Sequence, residues 1–269
     1  MSSFPAAWLA LREPYDLRAR NPSVLVAVVT SLKRRSPLRI VDLASGTGST
    51  LRALSPRLPT PQIWKLIDKD IRLLEGASAT PLAKQVVMTA VPLDINRDLE
   101  TALDGAIDLI TISALLDLVS QSWLDHFAEA VAARSLPVYA ALSYDGRTKF
   151  IPPDPFDPAV IDAVNAHQRL DKGFGAALGP AAAAFAIGRF QALGYSLVYG
   201  TSDWAIGRQD RTMQAEILAG WASSAHDLGT LPPADITAWV TRRRAMIAAG
   251  CSVLKVGHVD FFATHTSLR

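Results

Sequence analysis

Three aspartates close short apolar runs in the N-terminal half of the chain: Asp42 in RIVDL, Asp68 in IWKLID and Asp94 in VPLDI. Between the first two runs lies ASGTGS, in which Gly46 and Gly48 free the backbone to take positive φ and to approach a ligand closely. A helix opening at Ser49 would aim its first amides at that turn, where a negative group is favoured. Asp68 follows Gly48 by 20 residues. At that spacing a carboxylate on the neighbouring strand can accept both hydroxyls of a ribose. A fourth run ends at Thr111-Ile112-Ser113-Ala114-Leu115, with Asp117 just beyond. The chemistry is that of a nucleotide-type cofactor held at strand tips.

The elements that must position these residues follow from periodicity. Strands are expected at Arg39–Leu43, Gln62–Ile67, Gln85–Leu93, Ala106–Ile112, Pro137–Leu142, Tyr195–Thr201 and Val253–Ala263. The first of these are continuously apolar, as strands covered on both faces are. Helices fit between them at Ser49–Leu58, from Ile71 to Glu75, and at Trp123–Ala133, whose apolar positions form a stripe. Alternation of this kind predicts an α/β fold with a doubly wound, Rossmann-like, mostly parallel seven-stranded sheet. All the strand ends named above then fall on one edge, where ligands bind. The run IPPDPFDP is too proline-rich for a helix or central strand. It opens a segment, 146–190, expected to be a lid inserted after the fifth strand. Leu228–Pro233 is a second turn-rich stretch, followed by a helix Asp235–Ala249 with Asp235 as N-cap and Gly250 as C-cap. We expect a single domain over 1–269, with N-terminal helices at 1–37, a cofactor-binding core at 38–145, the lid, and C-terminal strands and helices at 191–269.

Composition limits the rest. The 269 residues are 49% apolar and 19% charged, which excludes intrinsic disorder. A net charge of +2 argues against a dedicated nucleic-acid binder. With one cysteine, Cys251, neither an internal disulfide nor a cysteine metal site is possible, and no metal is expected. The N-terminus lacks a signal-peptide pattern and no apolar run reaches spanning length, so the expectation is a cytoplasmic protein. The sequence does not reach its oligomeric state.

VDLASGTG, LIDKD, PLDI and DLITISALLD, in that order over Leu38 to Asp145, resemble the four motifs of the class I S-adenosylmethionine-dependent methyltransferases. The resemblance implies S-adenosyl-L-methionine as cofactor. It gives Asp42 and the backbone of Ala44, Ser45, Gly46, Thr47 and Gly48 the methionine portion, and Asp68 the ribose. Asp94 would face the adenine amino group, with Ile95 and Lys69 flanking the ring, and Ser113 to Leu115 would line the sulfonium end. In that family a preceding helix often covers the cofactor, and Arg20 would meet its carboxylate by charge complementarity. Two departures stand out. The family usually has glycine where this chain has Ala44, and SALLD replaces the Asn/Asp-Pro-Pro-Tyr of enzymes that methylate amino groups of bases or glutamine. The Pro-Cys nucleophile of cytosine-C5 enzymes is absent too.

A nicotinamide dinucleotide is the competing guest, but its fingerprint would need a small residue where Leu51 stands. Asp42 would also repel a pyrophosphate while suiting an ammonium. An NAD(P)-dependent oxidoreductase and a non-catalytic cofactor-binding module are therefore the alternatives to methyl transfer to a small-molecule acceptor. Asp117 and Tyr144 are the candidate catalytic groups, as base or orienting residue, set against a helix cap and a turn in SYDGR. His167, Gln168, Arg169 and Lys172 lie in the expected lid, where a solvated helix face is the plainer reading. Trp204 would wall the pocket or fill the core. His226 and His258 read as structural and His126 as a helix-surface residue. The basic runs Lys33-Arg34-Arg35 and Arg242-Arg243-Arg244 read as solvated helix ends.

Overall fold

The structure, a computed structural model, describes residues 4–79 and 81–266. Two N-terminal helices, α1 (Ala6–Ala19) and α2 (Pro22–Leu32), precede β1 (Leu38–Leu43). The chain then alternates through α3 (Ser49–Leu54), β2 (Gln62–Asp68), α4 (Ile71–Ser78), β3 (Val86–Pro92), α5 (Leu99–Ala102), β4 (Leu109–Ser113), α6 (Gln121–Ala132) and β5 (Val138–Ile151). After β5 come α7 (Asp157–His167), α8 (Ala182–Ala192), β6 (Tyr195–Thr201), β7 (Trp204–Ile206), α9 (Arg211–Leu228), α10 (Pro233–Ala248) and β8 (Val253–His265).

The sheet runs β3-β2-β1-β4-β5-β8-β6, with the short β7 paired to β8. Strands β1 to β5 are mutually parallel, and β8 is antiparallel to its neighbours. The doubly wound expectation therefore holds, with eight strands rather than seven. β7 escapes the sequence pattern because three residues carry no period. The strand tips of β1 to β4 share one edge, and the order reverses between β1 and β4, which is where a ligand crevice opens.

Apolar side chains cover both faces. One cluster includes Val41, Leu43, Ile110, Ile112, Trp123 and Phe127, and the other Leu38, Ile40, Leu51, Leu54, Trp64 and Leu66. Leu51 is 5% exposed and packs between α3 and the sheet, as its bulk requires. Helix α3 stops at Leu54 and passes through a 3-10 turn, Ser55–Arg57, so the single helix expected to Leu58 is two pieces. Pro56 sits at the join, where it can open a turn but cannot donate inside a helix.

The largest correction concerns β5. It does not end at Leu142 but runs to Ile151, against β8, with register shifts between Ala140 and Ser143 and between Tyr144 and Thr148. Asp145-Gly146, expected to turn, is a bulge instead. Gly146 takes φ +84 there, and a Cβ on it would lie 2.9 Å from Pro180. The extended β5 and β8, with β7, form a platform for α7, α9 and α10. A third apolar cluster joins them through Phe150, Val160, Val164, Ile217, Trp239 and Leu254. The first part of the segment 146–190, through α7, thus belongs to a packed layer that includes α9, a helix absent from the sequence expectation, whereas α8 packs with the first cluster. Arg243 closes the layer by pairing with Asp157 and donating to the Pro152 carbonyl at 2.8 Å, so it is not a solvated helix end. Helix α10 begins at Pro233 behind Pro232, rather than at the Asp235 cap expected. Proline at the first helical position supplies the preset φ and lacks only an amide that would be unpaired anyway. No described helix is long and apolar enough to cross a membrane.

Candidate functional site: two adjoining cavities

The first cavity lies over the tips of β1 to β4. Ala44, Ser45, Gly46, Thr47, Asp68, Lys69, Asp94, Ile95, Ser113 and Leu115 all line it. These ten are the sequence-expected cofactor contacts that the fold brings together. The turn after β1 is held from below, since Ser45 N donates to the Ile67 carbonyl at 2.9 Å. Asp68 fixes it from the side: its Oδ2 accepts from Gly46 N at 2.8 Å and its Oδ1 from Asp70 N at 2.9 Å. Each carboxylate oxygen keeps further acceptor capacity. Burial raises the Asp68 pKa, opposed by those two amides. Asp94 closes its own loop by accepting from Asn96 N at 3.0 Å.

Ala44 holds φ +51, the conformation that glycine would take there without cost. Ala114 at the tip of β4 (φ +51) and Leu142 at the kink of β5 (φ +55) share it. Ala44 lines the first cavity, Leu142 the second and Ala114 both. Strain of this kind collects at functional sites.

Arg20, Asp42 and Gly48 do not line either cavity. Gly48 takes φ +79 at the start of α3, where a Cβ would press on Ala77 at 3.3 Å. Asp42 is 1% exposed beneath the turn, with Oδ1 accepting from Thr111 Oγ1 at 2.7 Å and Oδ2 without a partner. Burial lifts its pKa to about 7, against the pull of Thr111 and Arg20. Arg20 is equally buried and donates to Tyr139 Oη at 3.1 Å and Ser113 Oγ at 3.4 Å. Tyr139 in turn donates to Asp260 Oδ2 at 3.2 Å. Arg20, Asp42 and Asp260 therefore form a buried polar floor, one layer behind the cavity wall.

Residues the sequence did not single out fill the remaining wall. Leu9, Arg12 and Asp16 of α1 face the cavity, and Phe174 closes it from the segment after α7. Spacings of three and four put the α1 residues on one helical face, a signal that the sequence carries. Asp16 accepts from Arg12 Nε and from Trp204 Nε1, each at 2.9 Å. Glu13 latches the same helix to Arg52 at 2.5 Å, and Arg52 also donates to the Thr47 carbonyl of the glycine turn.

The second cavity, of about 590 Å³, adjoins the first, sharing Phe4, Arg12, Ala114 and Leu118 with it. Both candidate catalytic residues line it. Asp117 is 7% exposed, its Oδ1 has no partner, and burial raises its pKa to about 6. Tyr144 donates its hydroxyl to Asn165 Oδ1 at 2.7 Å, and burial pushes its pKa up to about 12. His167, Gln168, Lys172 and Trp204 reach the same cavity, whereas Arg169 does not. His258 also lines it, its ring centroid 4.8 Å from that of Trp204 with the planes tilted by 48°, and burial holds it neutral, with its pKa down to about 3. Of the remaining histidines, His126 pairs with Glu100 on an exposed helix face.

No protein-family model and no curated protein matches the chain. Solved structures do. A cyclopropane-fatty-acyl-phospholipid synthase-like protein from Lactobacillus casei is 13% identical, with 98% of this chain and 94% of that chain covered and a TM-score of 0.57. A SAM-dependent methyltransferase from Thiobacillus denitrificans, in complex with S-adenosyl-L-homocysteine, is 16% identical over 98% of this chain and 100% of its own, at a TM-score of 0.46. The likeness is one of fold. The fold shared with the Lactobacillus casei protein is the doubly wound α/β architecture described above.

Proposed function

We propose that the protein binds S-adenosylmethionine in the first cavity and methylates a small-molecule acceptor in the second. The observation that carries this reading is the pair of half-buried carboxylates, Asp68 and Asp94, lining one wall at successive strand tips beside a glycine turn. Asp68 is preset by two backbone amides and has lone pairs left for a ribose diol. Asp94 suits an exocyclic amino group, with Ile95 and Lys69 beside the ring. The amides of the Ala44–Gly48 turn suit the amino-acid end, and Arg12 is the guanidinium that lines the cavity there, in place of the buried Arg20. Ser113, Ala114 and Leu115 border the reacting end, where the second cavity begins. Leu51, locked in the core, leaves no room for the close helix approach a dinucleotide pyrophosphate needs.

When bound, the cofactor supplies an electrophilic methyl group. The chain's part is to hold the acceptor atom in line with it, exclude water and take the acceptor's proton. Asp117 fits the role of proton acceptor, because its free Oδ1 points to an unmet hydrogen bond and a pKa of about 6 leaves it ionised yet basic at neutral pH. Tyr144, protonated and committed to Asn165, orients and walls the acceptor. The near-balanced charge supports a small molecule over nucleic acid.

Calorimetric titration tests the donor half. S-adenosylhomocysteine should bind and NADH should not. NADH binding alone would return the protein to the oxidoreductases. Donor binding with no methyl transfer to any of a broad metabolite panel would leave a binding module.

A further inference from the structure

The second cavity has a chemical polarity that names its guest, given the donor site proposed above. Its side walls are apolar and aromatic, with Trp8, Trp204, Trp221, Ile217 and Val256 among them. Three charged side chains besides Asp117 reach it: Arg12 from α1, Glu216 from α9 and Lys172 from the loop after α7. Arg12 has Asp16 2.9 Å away and is the guanidinium assigned above to the donor's amino-acid end. Glu216 is exposed to water on α9 and needs no partner.

Lys172 differs from both. It is half-buried, and no carboxylate among the described residues lies within ion-pair distance of it. Its Nζ meets His167 Nδ1 at 3.3 Å, a ring nitrogen that accepts its proton, while His167 Nε2 faces Asp227 Oδ2 at 3.9 Å. The histidine thereby holds the ammonium in place without neutralising it. Gln168, next along α7, also reaches the cavity. Burial lowers the Lys172 pKa, opposed in part by the more distant Asp227 carboxylate. An ammonium that donates to an imidazole nitrogen at the edge of an apolar cavity keeps N–H donors for an anionic ligand.

We infer that the acceptor is a flat, largely aromatic molecule bearing a carboxylate-type anion, with the anion seated on Lys172 beside His167 and Gln168 and the aromatic body against the tryptophans. The group to be methylated then faces Asp117 and the join between the cavities, which Ala114 and Leu118 mark. The tryptophan faces supply area at little conformational cost, and the single ammonium supplies orientation.

The test uses isosteric probes that differ in charge: 2-naphthoate, 2-naphthamide and 2-naphthylmethylamine, titrated into the full chain saturated with S-adenosylhomocysteine. The carboxylate should bind roughly tenfold or more tightly than the amide, as a charge-assisted hydrogen bond in a half-buried site predicts. Lys172→Met should remove that preference and Lys172→Arg should keep most of it, with S-adenosylhomocysteine affinity unchanged in both. Equal affinity for acid and amide, a preference that survives in Lys172→Met, or tightest binding of the amine would each overturn the inference. The donor reading fails separately: if S-adenosylhomocysteine does not bind while the apo chain still prefers naphthoate, the anion site stands and the proposed cofactor falls.

Discussion

The two cavities are built on different principles. The first is made of strand tips and the turns that leave them, so nearly every contact is local: Ala44 to Thr47 after β1, Asp68 and Lys69 after β2, Asp94 and Ile95 after β3. The second gathers Trp8, Tyr144, His167, Trp204, Trp221 and His258 from segments spread over the whole chain. A site made from consecutive turns is fixed as soon as the parallel sheet forms. One gathered from remote helices and strands depends on the bulged β5, the long β8 and the packing of α7 against α9. The first can therefore stay constant while the second is reshaped by changes in helices that the sheet does not constrain.

Substitutions can break that division. Asp117→Asn should have the largest effect. Loss of the base should lower methyl-transfer turnover by roughly 10²–10⁴-fold while leaving S-adenosylhomocysteine affinity unchanged. The sign of the pH dependence follows from burial. Asp117 must be ionised to accept a proton, so wild-type turnover should rise with pH through about 6 and level off above it. The asparagine variant should lose that limb. Next is Asp68→Ala, which removes acceptors for a ribose diol. Calorimetry should show donor affinity falling on the order of a hundredfold, about 3 kcal/mol, with 2-naphthoate binding retained. Loss of naphthoate binding as well would mean that the two cavities are one cooperative unit.

Smaller effects sharpen the comparison. Ala44→Gly relieves a left-handed alanine worth about 1 kcal/mol. Its melting temperature should rise by roughly 2–4 °C, a gain that belongs to the first cavity alone. Glu13→Gln cuts the partly exposed latch from α1 to Arg52. At about 0.5 kcal/mol, donor affinity should drop roughly twofold, close to the limit of calorimetric resolution.

The same division explains which parts are legible in the sequence. Strands β1 to β4, the glycine turn and the carboxylates of Asp68 and Asp94 can be read because apolar runs, small residues and aspartates succeed one another within a few positions. Asp42 lies deeper than its place in the motif implies. A strand side chain's depth depends on its neighbours across the sheet, and here Thr111 and Arg20 claim it from below. The end of β5 is hidden because Asp-Gly turns a chain unless a partner strand holds it straight. Gly257 of β8 leaves that space, since a Cβ there would lie 2.3 Å from Asp145 Oδ1. Helix α9 escapes the pattern because its buried positions, Met213, Gln214, Ile217, Leu218 and Ala225, include a glutamine whose amide caps the Gly207 and Ser252 carbonyls. His258 looks inert by spacing alone, and only the crossing of β8 behind Trp204 brings it to a cavity wall.

Helix α1 roofs both cavities, and Phe4 and Arg12 belong to each. Traffic through the two chambers is consequently not independent. A guest seated in the outer chamber, beneath a closed roof, would trap whatever lies in the inner one. Steady-state kinetics should accordingly follow a compulsory sequence, with donor entering first and its demethylated product leaving last.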